Sequence, residues 1–178
     1  AIREKTMDKN SILLNAFAFA KKTNCAVHLM GLVSDGGVHS SQEHLHYLCG
    51  LTKSYGLKKV FIHAFTDGRD TDPKSGLGFL TKLENHLKKS NGDLVSVVGR
   101  YYAMDRDKRW ERIKIAYDML TKGEGKKAQN LLVAVEESYN ENVTDEFIKP
   151  IVKVDKNNNP LGRIKENDVV ICFNFRTD

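Results

Sequence analysis

What this chain lacks narrows its function first. No apolar run approaches the roughly 20 residues that span a bilayer, and the opening residues carry no signal-peptide pattern. The expectation is a cytoplasmic protein without a membrane partner. Cys25, Cys49 and Cys172 are the only cysteines, an odd number without metal-ligand spacing. Their apolar neighbours predict buried, reduced thiols. The glycine signatures of phosphate loops are absent, both G-x-G-x-x-G and the Walker loop. So is the G-x-S-x-G nucleophile elbow. No two histidines lie at i and i+4 around a glutamate. No basic stripe is interleaved with aromatics, so no nucleic-acid partner is expected, and the net charge of +5 is mild.

What is present is a soluble globular composition, 40% hydrophobic and 29% charged over 178 residues. That length suits a single domain, 1–178, with a core that needs no staples. Both ends read as cut. The chain opens at Ala1 on a near-immediate helical pattern and stops at Asp178 inside a charged turn after a strand. The expectation is a domain excised from a longer protein, with a processed N-terminus as the alternative.

One pattern recurs along the chain: an apolar run that ends in a polar turn. Leu29 to Val33 leads to Ser34-Asp35-Gly36-Gly37-Val38-His39. Phe61 to Phe65 leads to Thr66-Asp67-Gly68-Arg69-Asp70-Thr71-Asp72-Pro73. Leu94 to Val98 leads to Gly99-Arg100-Tyr101-Tyr102-Ala103-Met104-Asp105-Arg106-Asp107. Val169 to Phe173 leads to Asn174-Phe175-Arg176-Thr177-Asp178. Strand, turn and helix in repetition predict an α/β fold, layered α/β/α around a mostly parallel sheet. The C-terminal ends of parallel strands share one edge, where ligands bind.

The remaining elements follow from periodicity. Helices are predicted over about 12–23, capped by Ser11, and about 41–55, ending at Gly56. Pro73 is predicted to begin a third helix. The helix after Asp107 is given an inward face of Trp110, Ile113, Tyr117 and Leu120, ended by Gly123 and Gly125. Lysines from Lys122 to Lys127 read as a solvated loop. Asn130 to Val135 reads as a short strand. Thr144 is expected to cap a short helix through Ile148. Lys153 to Leu161 reads as a hairpin-like excursion with Asn157-Asn158-Asn159-Pro160 at its tip. A mixed or extended region is therefore expected at about 130–165.

The turns hold the candidate chemistry. Arg69, Arg100, Arg106 and Arg176 all follow strand ends, and a guanidinium fork matches phosphate and carboxylate oxygens. The bland alternative pairs them with Asp67, Asp70, Asp105 and Asp107. His39, two residues after a double glycine, is placed to donate to a phosphate oxygen or to move a proton. Asp70 beside Arg69 is a candidate for binding or deprotonating a substrate hydroxyl. Asp35, His39, Asp67, Asp70 and Asp72 are the candidates for a divalent metal, against which the neighbouring arginines argue. His28 and His63 lie within apolar strands and read as structural. His44, His46 and His86 read as solvated.

The four motifs resemble those of the cofactor-independent phosphoglycerate mutases, in order and over nearly the whole chain. The resemblance implies the inserted phosphotransferase, or substrate-binding, domain of that family. It implies interconversion of 3-phosphoglycerate and 2-phosphoglycerate through a phosphoserine, as in glycolysis and gluconeogenesis. The serine and two divalent metals, usually manganese, would belong to an alkaline-phosphatase-like domain absent here. No cofactor or metal is then expected on this chain. Substrate contacts fall on His39, Arg69, Asp70, Arg100, Arg106 and Arg176, with Asp70 the catalytic acid/base. The alternative is a self-contained metal-dependent hydrolase using the Asp/His turns.

Overall fold

The computed structural model describes residues 6–176. Ala1 at the start and Thr177-Asp178 of the last turn lie outside the described residues. A 3₁₀ turn (Thr6–Lys9) leads to α1 (Ser11–Thr23), β1 (Val27–Leu32), α2 (Gln42–Ser54) and β2 (Val60–Thr66). Then come α3 (Gly76–Leu87), β3 (Asp93–Gly99), the short α4 (Arg100–Ala103) and α5 (Trp110–Lys122). The chain continues through β4 (Lys126–Ala128), α6 (Leu131–Asn140), a 3₁₀ turn (Asp145–Phe147), β5 (Ile151–Lys153) and β6 (Val169–Cys172).

The sheet order is β4-β5-β3-β2-β1-β6. β3, β2, β1 and β6 run parallel, so their C-terminal ends share one edge. β5 is antiparallel to β3, and β4 follows β5. Alternate strand residues point to opposite faces, and two apolar clusters result. Val27, Leu29, Ile62, Ala64 and Leu94 pack with Phe17, Leu45, Leu80 and Leu131 from α1, α2, α3 and α6. Leu32, Phe65 and Val98 pack with Met119 of α5 and Ala103 of α4. A polar chain threads the second face: Asp168 to His28 at 3.1 Å, His28 to His63 at 2.9 Å and His63 to Ser96 at 2.7 Å.

Several local expectations fail for identifiable reasons. Asn10, not Ser11, caps α1 and accepts from Leu13 N at 3.1 Å. Pro73 sits in the turn, and α3 starts at Gly76, whose N–H donates to Asp145 Oδ2 at 2.7 Å. The cap is thus supplied by a distant residue. The inward face of α5 is centred on Ala116 and Met119, leaving Trp110 68% and Tyr117 60% exposed. Residues 130–135 are not a strand: Asn130 caps α6 by accepting from Leu132 and Val133 N–H groups. Leu131, Ala134 and Val135 are its buried stripe. The lysine loop contains β4, which, like β5, is too short to show a sequence pattern. α4, only four residues long, shows no helical period in the sequence. Thr144 makes no side-chain cap for the 3₁₀ turn that follows it.

The excursion after β5 does close on itself, through a Val154–Pro160 bridge. Cys49 is buried, but Cys25 is half-buried and Cys172 is exposed. His46 and His86 are not solvated; they stack at 4.2 Å and are half-buried, as is His44.

Candidate functional site

The shared edge assembles around Asp67, which follows β2 and is 1% exposed. Its Oδ1 accepts from the N–H groups of Arg69 at 3.1 Å and Asp70 at 3.0 Å, an Asx-type turn. Its Oδ2 accepts from Ser34 Oγ at 2.8 Å, which ties the turn after β1 to the turn after β2. Burial alone would raise this carboxyl. The Asp70 N–H, the Ser34 hydroxyl and Arg100 outweigh it and hold the group below its usual range.

Arg100 joins three turns. From the first position of α4, 9% exposed, its Nη1 donates to Asp67 Oδ1 at 2.7 Å and Asp70 Oδ2 at 2.6 Å. Its Nη2 lies 2.9 Å from His39 Nε2. Burial disfavours the charge, but the two carboxylates more than restore it. Guanidinium has no acceptor, so His39 Nε2 accepts. His39 Nε2 also lies 3.7 Å from Asp70 Oδ2, yet the shorter contact with Arg100 governs its role.

A hollow of about 70 Å³ lies against this knot, lined by His39, Arg69, Arg100, Tyr101, Arg106 and Arg112, among others. Arg69 is 57% exposed and lies 3.7 Å from Glu146. Arg112 caps the Tyr101 ring at 3.9 Å and pairs with Asp105 at 3.5 Å. Asp105 also accepts from Arg109 N–H at 2.8 Å and so shapes the loop that carries Arg106. Arg176 follows β6, and its N–H reaches His39 O at 3.4 Å. Its side chain lines an adjoining hollow that shares Met104 and Asp105 with the first. All six predicted residues thus lie on one edge. Four line the hollow, Asp70 bonds to its wall, and Arg176 stands next door.

The bland alternative holds for Arg100, which pairs across turns with Asp67 and Asp70. Sequence reasoning missed Arg112, Tyr101 and Glu146. Arg112 sits in the first turn of α5, close to the strand-end motif, which is a usable signal. Glu146 is remote from every other site residue in sequence and gives none. A larger hollow of about 430 Å³, bordered by Ile115, Val143 and Ile151, contains none of these arginines.

With this geometry in view, the relatives are decisive. The family model described as the BPG-independent PGAM N-terminus matches residues 1–178. This chain belongs to that family. It is 58% identical over 178 residues to the 2,3-bisphosphoglycerate-independent phosphoglycerate mutase of Parabacteroides distasonis, covering 100% of this chain and 35% of that protein. It is 49% identical to the enzyme of the same name from Clostridium perfringens, covering 99% and 35%. A crystal structure of Leishmania mexicana phosphoglycerate mutase at low cobalt concentration superposes with a TM-score of 0.94 at 30% identity, covering 100% of this chain and 34% of that one. The chain spans about a third of the length of the curated relatives it matches.

The cobalt belongs to that crystal. Among the described residues here, no group of three or more His, Cys, Asp or Glu side chains is placed to hold a metal ion. At Asp67 and Asp70 the Arg100 guanidinium already bridges the carboxylates. The donor set does not fit a divalent metal, and the self-contained hydrolase is not favoured.

Proposed function

We propose that this chain is the substrate-binding, phosphotransferase domain of a phosphoglycerate mutase that interconverts 3-phosphoglycerate and 2-phosphoglycerate in glycolysis and gluconeogenesis. The observation that carries this reading is the gathering of Arg69, Arg100, Arg106 and His39 at one hollow, with Arg176 beside it. Residues 1–178 form that domain. A phosphatase-like domain of the same longer chain carries the serine and the divalent metals, for which manganese is proposed. The protein works in the cytoplasm.

In this reading Arg69, Arg106 and Arg176 hold the carboxylate and phosphate oxygens of the substrate through charge-assisted hydrogen bonds. Arg100 acts from behind, fixing Asp70 and His39 through the bonds described above. Asp70 is the group placed to accept a glycerate hydroxyl proton and return it to the other oxygen. Its carboxylate reaches Arg100 through one oxygen, Oδ2.

The test is kinetic. In the full-length protein, Asp70→Asn should lower kcat by about 10²–10⁴-fold, the usual range for an acid/base group. The 178-residue chain alone should show no turnover. Turnover by the purified chain, or full activity in Asp70→Asn, would defeat the reading.

A further inference from the structure

The 3₁₀ turn Asp145–Phe147 lies where the two arginine-bearing turns of β2 and β3 meet, and the contacts there are unusually close. A methyl group on Gly99 would lie 2.2 Å from Glu146 O, and one on Gly68 would lie 2.8 Å from Glu146 N. A methyl group on Gly76 would lie 2.5 Å from Asp145 Oδ1. Three glycines from three segments thus leave room for one short turn. Hydrogen bonds fasten it on every side. Thr66 Oγ1 donates to Asp145 O at 2.7 Å, and Gly99 N donates to Ile148 O at 2.7 Å. Asp145 N donates to Pro73 O at 2.9 Å. The Asp145 carboxylate, fully buried, accepts from Gly76 N and from the Tyr139 hydroxyl. Outward, Glu146 meets Arg69 and Phe147 packs on Tyr101 with ring centres 5.1 Å apart.

We infer that this turn is a spacer that sets the distance between the Arg69–Asp70 turn and the Arg100 turn, with Asp145 as its positioning residue. Gly68 immediately precedes Arg69, and Gly99 immediately precedes Arg100. The spacer therefore bears on the backbone of both arginines, one residue upstream of each. Asp145 does not line the hollow, although its neighbour Glu146 does. It determines whether the guanidinium groups meet a bound anion at hydrogen-bond distance, where displacement of an ångström is costly. The inference rests on the proposed phosphoglycerate site.

The experiment uses the full-length protein and measures kcat/KM for 3-phosphoglycerate together with the melting temperature. Gly99→Ala is a clean steric probe, because Gly99 has φ −66°, which alanine adopts freely. Tyr139→Phe removes one hydroxyl from Asp145 and serves if Gly99→Ala does not fold. Each should lower kcat/KM about ten-fold at temperatures where the variant is fully folded. Phe17→Leu, in the core beneath α1, should lower the melting temperature and leave kcat/KM unchanged. Asp145→Asn, which still accepts from Gly76 N, should retain activity that Asp145→Ala loses. Melting losses without any change in kcat/KM would overturn the spacer. If Arg69→Ala changes kcat/KM and the spacer variants do not, only the spacer fails. If Arg69→Ala has no effect, the binding site falls and the spacer falls with it.

Discussion

Arg100 Nη2 lies 2.9 Å from His39 Nε2, and only one of the two can donate. Arginine keeps its protons at any accessible pH. His39 Nε2 therefore carries none, and its ring proton resides on Nδ1. Nitrogen-detected NMR of the histidine rings should show His39 Nε2 as pyridine-type. In Arg100→Gln the constraint is lost and the tautomers should mix. A protonated Nε2 at neutral pH in the unaltered protein would contradict the arrangement.

The arginines differ in what their loss should cost. Arg100→Ala leaves the Asp67 carboxylate buried without its cation, a change worth about 3–5 kcal/mol of stability. Arg69 is mostly exposed, and its Glu146 contact is a surface pair, so Arg69→Ala should cost at most about 1 kcal/mol. Urea unfolding of the two variants checks the ordering. Equal losses would mean that Arg100 is not the structural centre of the edge.

Acid should unfold this protein earlier than its surface charges imply. Burial, aided by the neighbouring His28, pushes His63 down to about 3, and burial also lowers His28. Unfolded histidine titrates near 6.5. Below that pH the unfolded chain gains protons that the folded chain refuses. The stabilisation is thus complete above about pH 6.5 and is lost as pH falls towards about 3. His63 alone contributes a slope of about 1.4 kcal/mol per pH unit in that window. Asp145 works in the opposite sense. Burial, with help from the Asp67 and Asp72 charges, outweighs its hydrogen bonds and raises it to about 6. Its contribution is therefore greatest at low pH and is lost as pH rises through about 6, so it offsets part of the histidine loss below that point. Urea midpoints at pH 7, 6, 5 and 4 should fall steadily, with the His63 ring proton shifts unchanged over the same range. A His63 titration near 6.5 would contradict this.

The site's outline was legible because strand ends are. A buried parallel strand writes a continuous apolar run, and the polar residues after it must lie at the sheet edge. That logic puts His39, Arg69, Asp70, Arg100, Arg106 and Arg176 at one edge, where the structure has them, while their roles toward a substrate come from the family resemblance. It could not find Glu146, whose place depends on a turn returning across β3 from the far side of the sequence. The same limit explains Pro73: the cap of α3 comes from Asp145, some 70 residues on. At residues 130–135 the error was one of period. Leu131-Leu132-Val133-Ala134-Val135 reads as strand from its β-branched residues, but Asn130 was an available cap signal. Short edge strands such as β4 take their pairing from neighbours and write almost nothing in composition.

Phosphoglycerate is proposed to bind at the arginine edge, and titration of the ¹⁵N-labelled chain puts that placement to the test. Without the rest of the longer protein, binding should be weak, on the order of millimolar, or about −4 kcal/mol. Added salt should weaken it further. Shifts on adding 3-phosphoglycerate should cluster at residues 34–39, 67–70 and 100–107. They should diminish in Arg69→Ala and Arg106→Ala and persist in Lys126→Ala, which only loses an edge-strand pair with Glu137 at 2.8 Å. Shifts spread over the lysine-bearing helices, or an equal effect of Lys126→Ala and Arg69→Ala, would place the substrate elsewhere.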